Sequence, residues 1–448
     1  MTGVRGAGAT PLYAIRSANR CDTCHIEPVG WENPPKSTRK CTLDCAVCHV
    51  SPAGGGLRTP SGAYYGKEVL PRWGERPGAT VDLSKYISDE NKLSDGHYRL
   101  FGGFSGWEKG TIPIEDVPDL YGDIDPDPTF SAGFDGRAMA YHDVGSGDVS
   151  VFPMQIEAYG SYRAHHNLLA YLDVGLASRR DSLDVVREGN TASAGAGSAA
   201  DYLALREIFL MVDRLPDRTY VRAGRIHPIY GWRLADHTAF VRRDLGFDVD
   251  RQVYGVEAGW NRGYPYLNAS VFAQGLAGWP GEVNPPGHGF SLNAGYRDLG
   301  WQAGLSHHQV FQAGERSATT GAQWALNLYP IVLMGEVDHR GTVDAAGRRD
   351  ALFTYSEASW EVQWGLLAKV AYEWMDPDLT VADDHRNRIS IGGEFHPYTY
   401  VHLEPRYRMS FAGGGWGMAG TDYAGAFVYD AASQQVSHDL MLIAHVWF

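Results

Sequence analysis

The sequence predicts an all-β chain: about 16 antiparallel strands closed into a transmembrane β-barrel, preceded by a small, irregular N-terminal segment that plugs the lumen. Three observations carry this expectation. From about Thr129 onward the chain consists of short runs that alternate in polarity. The connections between those runs alternate between tight turns and longer loops, as in barrels that cross the outer membrane. The chain stops on an amphipathic strand whose last residue is Phe448.

The alternation is clearest from Tyr400 to Phe411. Val401, Leu403, Pro405, Tyr407, Met409 and Phe411 fall on one face, and His402, Glu404, Arg406 and Arg408 on the other. Ala358, Trp360, Val362 and Trp364 likewise oppose Glu357, Ser359, Glu361 and Gln363. Strands are expected at roughly 129–142, 150–162, 167–179, 202–214, 217–227, 249–261, 264–276, 287–297, 299–312, 317–328, 330–340, 351–362, 364–376, 386–397, 399–411 and 437–448. Turns after even strands are tight (Leu215-Pro216, Arg262-Gly263, Tyr329), and connections after odd strands are usually longer, notably 180–201, 228–248 and 412–436. A half-buried soluble sheet would alternate too. Aromatic residues near the ends of the runs, the even strand count and the terminal aromatic strand favour a membrane barrel, which also removes exposed edges.

Composition agrees. The 448 residues carry a net charge of -14, which argues against nucleic acid as a partner, since phosphate binding needs clustered Lys and Arg. No run approaches the ~18 apolar residues of a membrane-spanning helix, and a strand-built membrane protein needs none. No cysteine follows Cys48, so the bulk of the chain is not a disulfide scaffold.

Ahead of the barrel, residues 1–76 hold all five cysteines among glycines and prolines, and 77–128 form an acidic, Pro-rich linker or further plug. Cys21-Asp22-Thr23-Cys24-His25 and Cys45-Ala46-Val47-Cys48-His49 are both C-x-x-C-H. That spacing lets two thiols add to the vinyl groups of one haem while the adjacent histidine ligates the iron. The same four cysteines also match the spacing of a zinc ribbon, and a redox dithiol is a further alternative; neither requires a histidine after each pair. The expected cofactors are therefore two covalently bound c-type haems, on Cys21, Cys24, Cys45 and Cys48, with His25 and His49 on iron. Cys41 is left over. Met1 to Arg20 lacks a long apolar stretch, although haem attachment of this kind happens outside the cytoplasm; a removed signal ahead of this numbering, or a misplaced start, is expected.

At these residues the chain resembles the outer-membrane cytochrome–porin fusion proteins of iron-oxidising bacteria, which join an N-terminal c-type haem segment to a barrel of about this size. The resemblance places Cys21 and Cys24 at the thioether positions and His25 as proximal ligand; the second motif, Cys45, Cys48 and His49, departs from the family's single one. It implies an electron conduit in the bacterial outer membrane. A periplasmic cytochrome and an extracellular donor or acceptor such as iron would be its partners, outer-membrane lipid would surround it, and an oligomer is allowed. His97 is the first candidate for a sixth iron ligand, ahead of His142, His165, His166, His402 and His445. Glu404, Arg406, Arg408, Glu361 and Glu373 are candidate lumen contacts for the plug. A diffusion porin with a zinc- or haem-stapled plug, and a cell-surface haem enzyme such as an extracellular metal oxidoreductase, are the alternatives; solute flux or a high-spin, ligand-binding iron would mark them.

Overall fold

A computed structural model describes residues 45–59, 62–63, 66, 73, 128–175, 204–216, 219–236, 238–247, 251–261, 264–274, 287–298, 300–312, 314–328, 330–363, 365–412 and 437–447. Cys21, Cys24, His25, Cys41, His97 and Phe448 lie outside the described residues.

The strands are β1 (Phe130–Asp143), β2 (Val149–His165), β3 (Leu168–Gly175), β4 (Ala204–Leu215), β5 (Thr219–Ile226), β6 (Val253–Trp260), β7 (Pro265–Gln274), β8 (Gly287–Arg297), β9 (Trp301–Gln312), β10 (Glu315–Leu328), β11 (Ile331–Asp344), β12 (Gly347–Gln363), β13 (Leu366–Asp376), β14 (Arg386–Tyr398), β15 (Val401–Ala412) and β16 (Ser437–Trp447). Each pairs antiparallel with the next, and β1 closes on β16 from Asp135 opposite Trp447 to Asp143 opposite Asp439. The 16-stranded closed barrel expected from the alternation is therefore what the chain forms. Pro153, which cannot donate to a ladder, sits where the β1–β2 register shifts, between Arg137 and Ala138.

Polarity runs opposite to that of a water-soluble sheet. Val151, Leu305 and Trp360 are 74%, 66% and 51% exposed, whereas Arg222, Glu257 and Glu373 are 0%, 1% and 1% exposed. A soluble protein would bury the first set and expose the second. Apolar residues outward and charged residues inward make a barrel that faces lipid and encloses a polar lumen. Exposed aromatics gather at the end of the short turns, where Tyr264 stacks on Tyr296 and Tyr296 on Trp301, with centroids 5.6 and 5.3 Å apart.

Two details differ from the sequence expectation. The connections β9–β10 and β11–β12 are tight although they follow odd strands, and they turn through glycines with positive φ, Gly314 at 78° and Gly347 at 129°. The β11–β12 hairpin also runs beyond 340 and ahead of 351, pairing Asp344 with Gly347. Backbone hydrogen bonds continue past the apolar band, where side-chain alternation no longer reports them.

The connection from β5 to β6 folds into the lumen. It carries a single helical turn, α1 (Phe240–Arg243). Tyr230, Phe240, Val241, Leu245 and Phe247 pack against Phe353, Tyr355 and Met375 of the wall, and Tyr230 stacks on Phe247 at 3.9 Å.

Candidate functional site

Among the described residues, two elements occupy the lumen: the loop after β5 and residues 45–59, which carry the second C-x-x-C-H. The latter begins with a 3-10 turn, Cys45–Val47. The Cys48 and His49 amides donate to the Cys45 carbonyl at 3.1 and 2.9 Å, which holds both cysteines and the histidine on one turn. The chain then doubles back. Val50 N–H donates to Leu57 O (2.9 Å), Thr59 N–H to Cys48 O (3.1 Å), and His49 bridges antiparallel to Arg58. The reversal uses three successive left-handed glycines, Gly54, Gly55 and Gly56, with φ of 82, 71 and 63°. A Cβ on Gly56 would strike the Tyr171 hydroxyl, so this position needs glycine for space as well as conformation.

The wall grips this hairpin from several strands. Val50 and Leu57 pack among Tyr159, Tyr171, Phe209 and Met211. Arg222 Nη1 donates to Ser51 Oγ (3.1 Å), Leu57 N–H donates to Tyr171 Oη (3.4 Å), and the Arg233 guanidinium donates to the Gly54 carbonyl. Arg58 lies over the Trp447 ring, 5.2 Å from its centroid. Farther along, Tyr400 Oη donates to Ala63 O (3.4 Å) and Trp73 N–H to His396 O (2.9 Å).

His49 is 3% exposed, and neither ring nitrogen makes a well-formed hydrogen bond, although the Gly55 and Gly56 peptides approach the ring. Burial, with Arg58 and Arg233 close by, pushes its pKa down to about 3, while the Gly55 and Gly56 peptides partly offset the shift. The imidazole is thus neutral at any physiological pH, the form that ligates a metal. Cys45 is exposed and Cys48 half-buried. Two thiols and a neutral imidazole with no well-formed hydrogen bond, flanked by two guanidiniums, suit a covalently attached haem: the donor set matches, and the cations suit its anionic propionates.

Sequence reasoning passed over His227, just beyond β5. It is buried, its Nε2 lies 3.1 Å from Arg242 Nη2, and its Nδ1 has no partner. Burial, reinforced by Arg233 and Arg242, holds its pKa well below the usual histidine value. The Arg222 guanidinium that donates to Ser51 also donates to the His227 carbonyl (2.8 Å), so one side chain ties the cysteine hairpin to this histidine. A long connection rich in buried-type aromatics (Tyr230, Trp232, Phe240, Phe247) was the available signal that 227–247 turns inward.

Of the lumen charges expected to hold the N-terminal plug, Glu404, Arg406, Arg408 and Glu373 have other partners among the described residues. Arg408 pairs with Asp236 of the loop at 2.6 Å, and Arg406 binds both Asp236 and Glu404. Glu373 accepts the Phe240 amide (2.7 Å) and Arg388 donates to Thr238 O (3.1 Å). These residues anchor the loop. The hairpin is held instead by Arg222, Arg233 and Tyr171, from β5, the loop and β3, while Tyr400 of the β14–β15 turn holds the chain just beyond it. Of the remaining ligand candidates, His165 and His166 are exposed at the β2–β3 turn, and His402 and His445 face each other in the lumen wall.

The fold defines the chain as a porin-like barrel of the outer-membrane type. It superposes on OmpT, an outer membrane protein of Vibrio cholerae, with a TM-score of 0.52 at 11% identity, covering 71% of this chain and 99% of that one. It superposes on an anion-selective porin from Comamonas acidovorans with a TM-score of 0.50, again at 11% identity and covering 71% and 99%. No protein-family description and no curated protein matches the sequence.

Proposed function

We propose that this chain conducts electrons across the outer membrane through c-type haems held inside its barrel. The observation that carries the reading is His49, buried in the lumen with no well-formed hydrogen bond at either ring nitrogen and with Cys45 and Cys48 on the same turn. Cys45 and Cys48 would make the thioether bonds, and His49 would be the proximal ligand. When bound, the haem iron takes up and releases one electron. Arg58 and Arg233, both close to His49, would offset the charge of the propionates of a haem held there. His227 would be a candidate second histidine to hold the iron, once Arg242 gives up its Nε2, and two histidines on one iron would suit electron transfer. The loop itself, clamped by Arg406 and Arg408, fills part of the lumen. Cys21, Cys24, His25 and His97 would serve a second haem, and a periplasmic cytochrome and an extracellular donor or acceptor such as iron would complete the route.

The test is a pyridine haemochrome spectrum of the full chain purified in detergent, with haem counted per chain. Two covalent haems per chain are expected from the two motifs. Absence of haem, with zinc bound and solute flux through the barrel, would overturn the reading and leave a porin with a metal-stapled plug.

A further inference from the structure

At the short-turn mouth of the lumen three histidines from adjacent strands come together: His396 of β14, His402 of β15 and His445 of β16. His402 and His445 are direct cross-strand partners. Their Nδ1 atoms share a hydrogen bond of 3.3 Å, whose proton a bound ion would displace, and the rings stand at 90° with centroids 4.8 Å apart. On the far side of His445, Nε2 lies 2.9 Å from both carboxylate oxygens of Asp135. A carboxylate there keeps the proton on Nε2, so the Nδ1 lone pair points at His402. His396 has Glu394 nearby, at 3.7 Å from its Nε2 and beyond hydrogen-bond distance, and its ring centroid is 5.4 Å from that of His402.

We propose that His402 and His445 bind a divalent first-row transition ion such as zinc, a site separate from the haem positions. The spacing is the argument. Two nitrogens at 2.0–2.1 Å from a tetrahedral ion are about 3.3–3.4 Å apart, the separation already present. The Asp135–His445 pair supplies the outer carboxylate that metal-bound histidines characteristically carry, and imidazole suits zinc, copper and nickel alike. Among the described residues no three His, Cys, Asp or Glu side chains already stand in metal-holding geometry. As folded the site therefore offers two nitrogens, and water or a rotated His396 fills the other positions.

The ion would join three strands and reach the plug. Trp447 packs on both His445 and His402, with centroids 4.6 and 5.6 Å away, and carries Arg58 over its ring. The His396 carbonyl accepts the Trp73 amide. The site thus lies beside two of the contacts that seat the N-terminal segment.

The test is zinc content after equilibrium dialysis of the full, haem-loaded chain, compared with the His402→Asn/His445→Asn double variant, Asp135→Asn and the exposed control His339→Asn. The double variant should retain one equivalent less than wild type, and His339→Asn the same as wild type. Asp135→Asn should keep the site with affinity about 10- to 100-fold weaker, which preserves a readout if the double variant folds poorly. Equal zinc in wild type and in a double variant with a native β-sheet dichroism spectrum would overturn the proposal. So would a change in haem spin state in that variant with unchanged zinc, because the pair would then belong to iron.

Discussion

His49 and Arg58 pair across a single antiparallel bridge, so the residue that ends the C-x-x-C-H turn and the cation beside it reach the same point from opposite strands of one small hairpin. Trp447 holds the guanidinium on its other side, and the imidazole is left buried, neutral and without a well-formed hydrogen bond. The three glycines of the reversal make that closeness possible.

Replacing Gly56 with Ala should unseat the hairpin. The backbone is left-handed there and the added methyl meets the Tyr171 hydroxyl, for a local cost of about 1–3 kcal/mol. Limited proteolysis of the folded barrel should then cut near residue 56 faster than in wild type, while the barrel itself stays intact. Equal cleavage rates would mean the hairpin is not held by this turn.

Arg222 is buried between Glu257 (2.8 Å) and Glu207 (3.3 Å) and also holds Ser51 and His227. Arg222→Met removes a guanidinium shared by these four and leaves two buried carboxylates without it. A loss of about 3–5 kcal/mol is expected, read as a lower denaturant midpoint of the full chain. The Glu207→Gln/Glu257→Gln background should recover much of it.

Asp236 anchors the inward loop. Burial alone would raise its pKa, but Arg406 and Arg408 outweigh this and hold the carboxylate well below its usual range. A depressed folded pKa contributes stability that is present above the unfolded value of about 3.9 and is lost only as pH falls through the lower folded value. Bilayer conductance should therefore stay flat from neutral pH down to about 4, and Asp236→Asn should raise it at neutral pH. A wild-type opening near pH 5–6 would contradict the clamp.

Cys45→Ala/Cys48→Ala should cut haem per chain from two to one without unfolding the barrel, and His227→Ala should turn one haem from low-spin to high-spin without releasing it. Unchanged spin state in His227→Ala would leave the distal ligand to His97 or another histidine.

On the lipid side, Leu305 is 66% exposed at the middle of β9. Leu305→Arg should cost about 2–4 kcal/mol of folding stability in liposomes, and much less in a detergent micelle that deforms around the charge.

How much of this was legible beforehand follows from what each interaction leaves in the chain. Strand alternation is local and has a period of two, so 16 strands could be counted from residues such as Leu403, Glu404, Pro405 and Arg406 alone. The C-x-x-C-H spacing was equally plain, because bonding to one cofactor requires near neighbours. The hairpin extension of β11–β12 was not, since backbone pairing above the apolar band imposes no polarity pattern. Nor were the partners of the lumen charges. Arg406 meets Asp236 across 170 residues and Arg222 meets Ser51 across 171, and no local signal marks which carboxylate or hydroxyl a buried guanidinium will find. The sequence by itself determined the barrel, its inward and outward faces and the cysteine–histidine motif, because those depend on spacing along one chain. The tertiary structure alone decided that the loop after β5 takes the lumen charges, that Arg58, Arg222 and Arg233 surround the second motif, and that His402 and His445 meet at the mouth, because closing the barrel is what brings those distant residues within hydrogen-bond reach.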